Sequence, residues 1–185
     1  MTALDIDGLI ATLDSYQRTL FRFEQLPAYY VDDDGDDYHR WMRGEHEPTW
    51  ERKQPWLDVL RADRAAGRDR RRVRVFSHDM TGYERYACHW GYALNGPAGE
   101  DIRVLHHGEH PLPADLPAVD FWTVDNDRAV VMNYDSRGDF LDATLVADPT
   151  RFLAARDRAW AVAEPFDQWW SRHPEMHERE ATVSA

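Results

Sequence analysis

The chain has 185 residues, with 43% hydrophobic positions, eight tryptophans and a formal net charge of -12. That is enough apolar material for one sizeable core, which excludes intrinsic disorder. It is also enough negative charge to set direct nucleic-acid binding by this chain aside, because the surface as a whole repels phosphate. No apolar run approaches the ~20 residues of a membrane span, and a single cysteine, Cys88, leaves no internal disulfide framework. With no charged, apolar leader at the start, the expected compartment is the cytoplasm and no membrane partner is expected.

Ile6 to Tyr16 carries Ile6, Leu9, Ile10, Leu13 and Tyr16 at helical spacing, with Asp5 as N-cap. Leu20–Glu24 and Ala28–Val31 are rich in aromatic and β-branched types on either side of Pro27 and read as two short extended segments. Asp32 to Asp37 alternates acids around Gly35 but lacks EF-hand spacing, since Asp37 and Arg43 stand at the glycine and glutamate positions. It reads as a solvated turn opening a helix from about Asp36 to Gly44, with Tyr38, Trp41 and Met42 inward. Gln54-Pro55-Trp56 starts a second helix with proline in its first turn, running to about Ala66 on a Trp56, Leu57 and Leu60 stripe. Arginines 61, 64, 68, 70, 71, 72 and 74 then form one basic cluster, read as a solvated helix end paired with the protein's own acids.

Gly67 to His107 organises the rest. A strand over Arg71–Ser77, a helix over Thr81–Asn95 and a strand over Asp101–Leu105 make a βαβ crossover with a parallel strand pair. Val73, Val75 and Phe76 supply the first strand's core face, and Tyr83, Tyr86, Ala87, Trp90 and Leu94 form the helix's packed stripe. Ligands gather at the carboxyl ends of such strands, which directs attention to Ser77, His78 and Asp79. Cys88 and His89 are adjacent on a helix and cannot form a catalytic dyad, so Cys88 reads as a small buried hydrophobe. His106-His107-Gly108-Glu109-His110 lacks the second-element ligands of a zinc site and the downstream Pro-Cys-x-x-Cys of a deaminase, and reads as a polar loop.

Phe121–Val124 and Ala129–Tyr134 form a hairpin around Asp125-Asn126-Asp127, and Phe140–Val146 adds a third antiparallel strand. Asp148-Pro149 starts a long helix burying Phe152, Ala155, Ala159, Trp160, Val162, Ala163, Phe166 and Trp170, which Pro165 interrupts. The fold class is α+β or α/β in one domain. It comprises an N-terminal helical and extended segment over 1–66 packed on an α/β core over 67–172, with a flexible tail over 173–185.

No hydrolase, phosphate-loop or zinc-protease motif is present. Strand, helix, strand, then hairpin is also the order in phospholipase D-like domains. With Asp125 as the motif's aspartate, its lysine and histidine fall on Asp120 and Ala118, so the analogy leads to a version without the catalytic motif. The segments Arg22–Pro27, Arg72–Ser77, Tyr83–Tyr86, Asn95 with Ala98–Arg103, Asp120–Trp122 and Arg156–Trp160 together resemble the actinobacterial domain of unknown function 6879. The resemblance implies an uncharacterised protein encoded beside helix-turn-helix regulators, with an accessory role in regulation, and it carries no catalytic residues. His78-Asp79 departs from the Glu-Pro expected in many members.

The favoured reading is a non-enzymatic accessory or ligand-sensing protein acting with a helix-turn-helix regulator, and its acidic charge suits a basic partner. The alternative is an enzyme of hydrolase or phosphotransfer type at the strand ends. The candidate ligand-binding residues are Ser77, Arg85, Asn95 and Asp120. Each also has a structural role open to it: caps for Ser77 and Asn95, an ion pair for Arg85, a turn acid for Asp120. No catalytic residue, metal or cofactor is assigned.

Overall fold

Three parallel strands form the middle of one mixed sheet. The computed structural model describes residues 1–29 and 32–177. The second extended segment's Tyr30 and Val31, the side chains of residues 32–35, and the tail from 178 onward lie outside the described residues. The elements are β1 (Thr2–Leu4), α1 (Ile6–Asp14), β2 (Thr19–Glu24), α2 (Asp32–Met42), α3 (Trp50–Ala65), β3 (Asp69–Phe76), α4 (Gly82–Tyr86), a π-helical stretch (Ala87–Tyr92) and α5 (Ala93–Ala98). There follow β4 (Glu100–His106), β5 (Phe121–Val124), β6 (Arg128–Tyr134), β7 (Phe140–Leu145), α6 (Thr150–Val162), β8 (Glu164–Pro165), α7 (Phe166–Arg172) and a 3-10 turn (Pro174–His177). The strand order is β1-β7-β6-β5-β2-β3-β4-β8.

The β3–α4–α5–β4 crossover and the β5–β6–β7 meander stand where the sequence predicts them, with β3 parallel to β4. A second crossover precedes it: β2 runs parallel to β3, joined through α2 and α3, and antiparallel to β5 on its other side. The first sixty-odd residues therefore supply a central strand as well as a cover. Asp125 fixes where β2 begins. At φ 49° its carboxylate accepts from the backbone N–H groups of Arg18 at 2.7 Å and Thr19 at 3.0 Å, tying the β5–β6 turn to the start of β2. Burial opposes its charge, and these bonds outweigh that and lower the carboxyl below its ordinary range.

One face of the sheet is apolar. Phe21, Phe23, Val73, Val75, Leu105 and Phe121 pack against Phe152, Ala155 and Ala159 of α6. Small residues on α6 let the helix sit close to a face carrying large rings. On the other face, the side of the α4–π–α5 helix turned to the sheet carries Cys88 and Tyr92, packed with Phe76, Ile102, Val104 and Trp169. Tyr86 and Trp90 of the expected stripe turn instead toward Trp41 of α2. The helix is covered on two sides, and one apolar stripe does not describe it. Cys88 is fully buried, and burial raises its thiol well above the ordinary value.

Several expected boundaries move. α2 starts at Asp32, and Met42, expected inward, is exposed. α3 starts at Trp50, so Pro55 lies inside it. The Thr49 hydroxyl donates to Asp37 at 2.5 Å and makes no side-chain cap to α3, so this contact ties the start of α3 to α2. Val162 is exposed, and Trp169, not among the expected core residues, is fully buried. Pro165 separates α6 from α7 and forms β8 against β4. Gly99 is required between α5 and β4: its φ is +135°, and a Cβ there would meet the Leu60 carbonyl at 2.8 Å.

Among the described residues no helix is long and apolar enough to cross a membrane. Asp5 caps α1 as predicted, accepting from Gly8 N–H at 2.9 Å. Asp5→Ala is expected to cost about 1 kcal/mol in urea unfolding, the usual worth of an N-cap.

Candidate functional site

The alternation that places Phe21 and Phe23 on the α6 face places Arg22 and Glu24 on the other, beside Arg72 and Arg74 of β3 and Glu100 of β4. Arg72 and Arg74 belong to the basic cluster expected to be solvated. They are instead 8% and 0% exposed, because they lie on a covered strand face. Their pairing with the protein's own acids does occur. Arg72 bridges Glu24 and Glu100, with Nε donating to Glu100 at 2.8 Å, and Arg22 approaches Glu24 at 2.7 Å. Glu100 accepts from Asn95 Nδ2 at 2.8 Å, and Asn95 Oδ1 accepts from Lys53 Nζ at 2.9 Å. Tyr92 donates to Glu24 at 3.3 Å. Burial alone would raise the Glu24 carboxyl; Arg22, Arg72 and Arg74 outweigh it and hold it at about 2.

A second chain of contacts runs over the carboxyl ends of the strands. Arg74 donates to the Leu26 carbonyl at 2.5 Å and to the Tyr29 hydroxyl at 3.2 Å, and faces Glu84 at 3.5 Å. Glu84 accepts from Ser77 N–H at 3.0 Å and Ser77 Oγ at 3.2 Å, and closes a capping box with Thr81 at the start of α4. Tyr29 donates to Asp120, which also accepts from Gln25 N–H at 2.9 Å. Burial raises the Asp120 carboxyl, and the Tyr29 and Gln25 bonds offset only part of that.

Ser77 and Asp120 are thus joined through Glu84, Arg74 and Tyr29. Ser77 and Asn95 spend their side chains on Glu84 and Glu100 and cap nothing. Asp120 is buried, not an exposed turn acid. Asn95 belongs to the Arg72 group, near the amino end of β4. Arg85 stands apart and makes no side-chain hydrogen bond or ion pair with a described residue. Sequence reading missed Glu24, Tyr29, Arg72, Arg74, Glu84 and Glu100. The available signal was charge on alternate positions of strands whose other face is apolar, in Arg22-Phe23-Glu24 and Arg72-Val73-Arg74.

The histidine-rich loop acts as a clasp. His106 Nδ1 meets Glu109 at 2.8 Å, His110 Nε2 meets Glu164 at 3.2 Å, and Glu109 also contacts Arg172 and His173, fastening α7 to the end of β4. Among the described residues no group of three or more acids, histidines or cysteines is placed to hold a metal ion.

A cleft of about 850 Å³ lies at the opposite, amino-terminal end of β3 and β4, between the α3–β3 turn, α5 and α7. Tyr92, Phe166 and Trp170 are among its lining residues; Tyr92 and Phe166 are buried, and the Trp170 ring stacks on Phe166 at 5.7 Å with an 18° tilt and on His177 at 4.1 Å with a 28° tilt. Buried Glu100 reaches its lining, so the cleft adjoins the ionic ladder.

A family model described as a domain of unknown function, DUF6879, matches residues 7–171. The chain belongs to this family. The matched DUF6879 span begins within α1 and ends in α7, and so takes in both polar chains and most of the cleft's lining. No curated protein matches the chain.

Proposed function

We propose that this DUF6879 protein is a non-enzymatic accessory or ligand-sensing protein, acting in the cytoplasm with a helix-turn-helix regulator and taking its small molecule in the cleft at the amino ends of β3 and β4. One observation carries the ligand part. The polar side chains at the strand carboxyl ends hold one another through Ser77, Glu84, Arg74, Tyr29 and Asp120, whereas the cleft opens at the other end. Its volume falls in the range of small-molecule sites. The regulator part draws on the family's expected gene neighbourhood and on a net charge of -12, which favours a basic partner. The use of arginine over lysine fits the GC-rich, actinobacterial source that the resemblance implies. Asp120 and Ala118 at the phospholipase D-like positions are in keeping with a role without catalysis.

An enzyme of hydrolase or phosphotransfer type would draw on Asp120, whose carboxyl burial raises. Its neighbours there are already committed to structure, which favours the first reading. Co-expression with the neighbouring regulator tests the proposal: a stoichiometric complex is expected on tandem purification. A clean monomer that does not bind the regulator at micromolar concentration would overturn it.

A further inference from the structure

Charge does not select what enters the cleft. Among the described residues its lining sets four arginines against four carboxylates, so neither sign of ligand is favoured on balance. The cleft does hold a ring of its own. His177, in the 3-10 turn after α7, is one of its lining residues, and the imidazole lies on the Trp170 ring at 4.1 Å with a 28° tilt. Its Nε2 stands 2.9 Å from the Trp170 carbonyl. A carbonyl oxygen only accepts, so Nε2 carries the hydrogen and donates it. Trp170 has other supports: Phe166 stacks on the indole at 5.7 Å, and His89 meets it edge-on at 5.2 Å and 89°. The turn that carries His177 is lightly fastened, by half-buried Met176 against the core and by a 2.8 Å contact between His173 and Glu175, while Pro174, Glu175 and His177 are exposed.

An imidazole laid on an indole, with its N–H aimed at a carbonyl, is the contact that a planar heterocycle makes in a binding site: the stack supplies affinity and the one hydrogen bond fixes orientation. We infer that His177 is a built-in occupant of the cleft, and that the ligand is a neutral planar heterocycle with a ring N–H, which displaces His177 to stack on Trp170 and donate to its carbonyl. This rests on the cleft being the ligand site of the proposed function. It adds the ligand's chemical class and a means of regulation. Binding lifts the Pro174–His177 turn, so the turn's position reports whether the cleft is filled, and the apparent affinity is reduced to the fraction of molecules in which His177 has left the indole.

Benzimidazole and 1-methylbenzimidazole, alike in ring and differing in the N–H, are suitable probes, titrated calorimetrically into the full chain in mildly alkaline buffer. His177→Ala removes the occupant and is expected to bind benzimidazole about tenfold more tightly than the wild type does. His177→Phe keeps a ring over Trp170, so its affinity should lie closer to the wild type than to His177→Ala. In the His177→Ala chain, 1-methylbenzimidazole should bind several-fold more weakly than benzimidazole, and adding Trp170→Leu should abolish binding of both. His177 is exposed, so His177→Ala should leave the melting temperature nearly unchanged. Equal benzimidazole affinity in the wild type and His177→Ala, lost with Trp170→Leu, would overturn the built-in occupant while leaving a ligand-binding cleft. Equal binding of the two probes would overturn the N–H donor. Binding of neither probe to either chain would overturn the inference and the cleft as its site together, and co-purification with the regulator then decides separately whether the accessory role stands.

Discussion

Arg72→Met is expected to lower the unfolding free energy by about 3–5 kcal/mol, the usual consequence of removing one partner from a buried ionic group. Arg72 is 8% exposed and is shared by Glu24 and Glu100, so its loss takes a cation from two buried carboxylates at once, leaving Glu24 to Arg22 and Tyr92 and Glu100 to Asn95. Methionine fills the stem's volume, which separates the electrostatic loss from a cavity. The pH dependence gives a second readout. Glu24 is held at about 2 against an ordinary value of 4.5, burial opposing its charge and three arginines overcoming it. A depressed carboxyl stabilises the native state above its unfolded pKa and loses that contribution as pH falls through its folded pKa. The wild type should therefore lose stability on acidification from about 4.5 toward 2. The variant has less of this contribution to lose, so the gap between the two should narrow over the same interval. Urea titrations at neutral and acid pH measure both; a gap that stays constant would show that Arg72 acts by packing alone.

Glu84→Ala should be comparably damaging, about 3–5 kcal/mol, by a different route. Glu84 is fully buried and serves Ser77, the Thr81 capping box and Arg74 together. Alanine leaves Arg74, itself 0% exposed, without its carboxylate, and it frees the backbone N–H groups of Ser77 and Thr81. Glu84→Gln keeps one acceptor oxygen, enough for the Ser77 N–H or the Thr81 N–H but not both, and loses the charge. It is expected to cost about 1–3 kcal/mol, in the range of a weakened buried hydrogen bond. Equal losses in the two variants would mean that charge, not capping, dominates at this position.

Much of the architecture was legible because each element carries its own local signal. Asp5 before Leu9 and Leu13, the turn acids between Val124 and Arg128, and Pro165 after a helical run each announce a boundary without reference to anything distant. Pairing between distant strands has no such signal. Leu20–Glu24 read as extended, but nothing in those residues names β3 and β5 as its neighbours. The arginines of β3 misled for a related reason. In sequence Arg72 and Arg74 continue a run from a solvated helix end, and only the sheet, with α4 and α5 laid over it, turns them inward. The site followed the same division. Ser77 and Asp120 were found because strand ends and hairpins are visible locally, whereas Tyr29 and Glu84, which join them, are reached only through tertiary contacts.

The position of β2 also shapes how the molecule is made. Its two hydrogen-bonding edges are satisfied by segments that leave the ribosome much later, first β3 and then β5. Until Phe121–Val124 has been synthesised, a strand carrying Phe21 and Phe23 keeps one edge open beside an unfinished apolar face. Non-local closure of this kind slows folding relative to a helical chain of similar length and prolongs the interval in which an unpaired edge can meet another chain. Arg22, between those phenylalanines, and Glu24, directly after them, place charge on that same strand throughout the interval, so the residues that build the ionic ladder also guard the nascent sheet against pairing with the wrong neighbour.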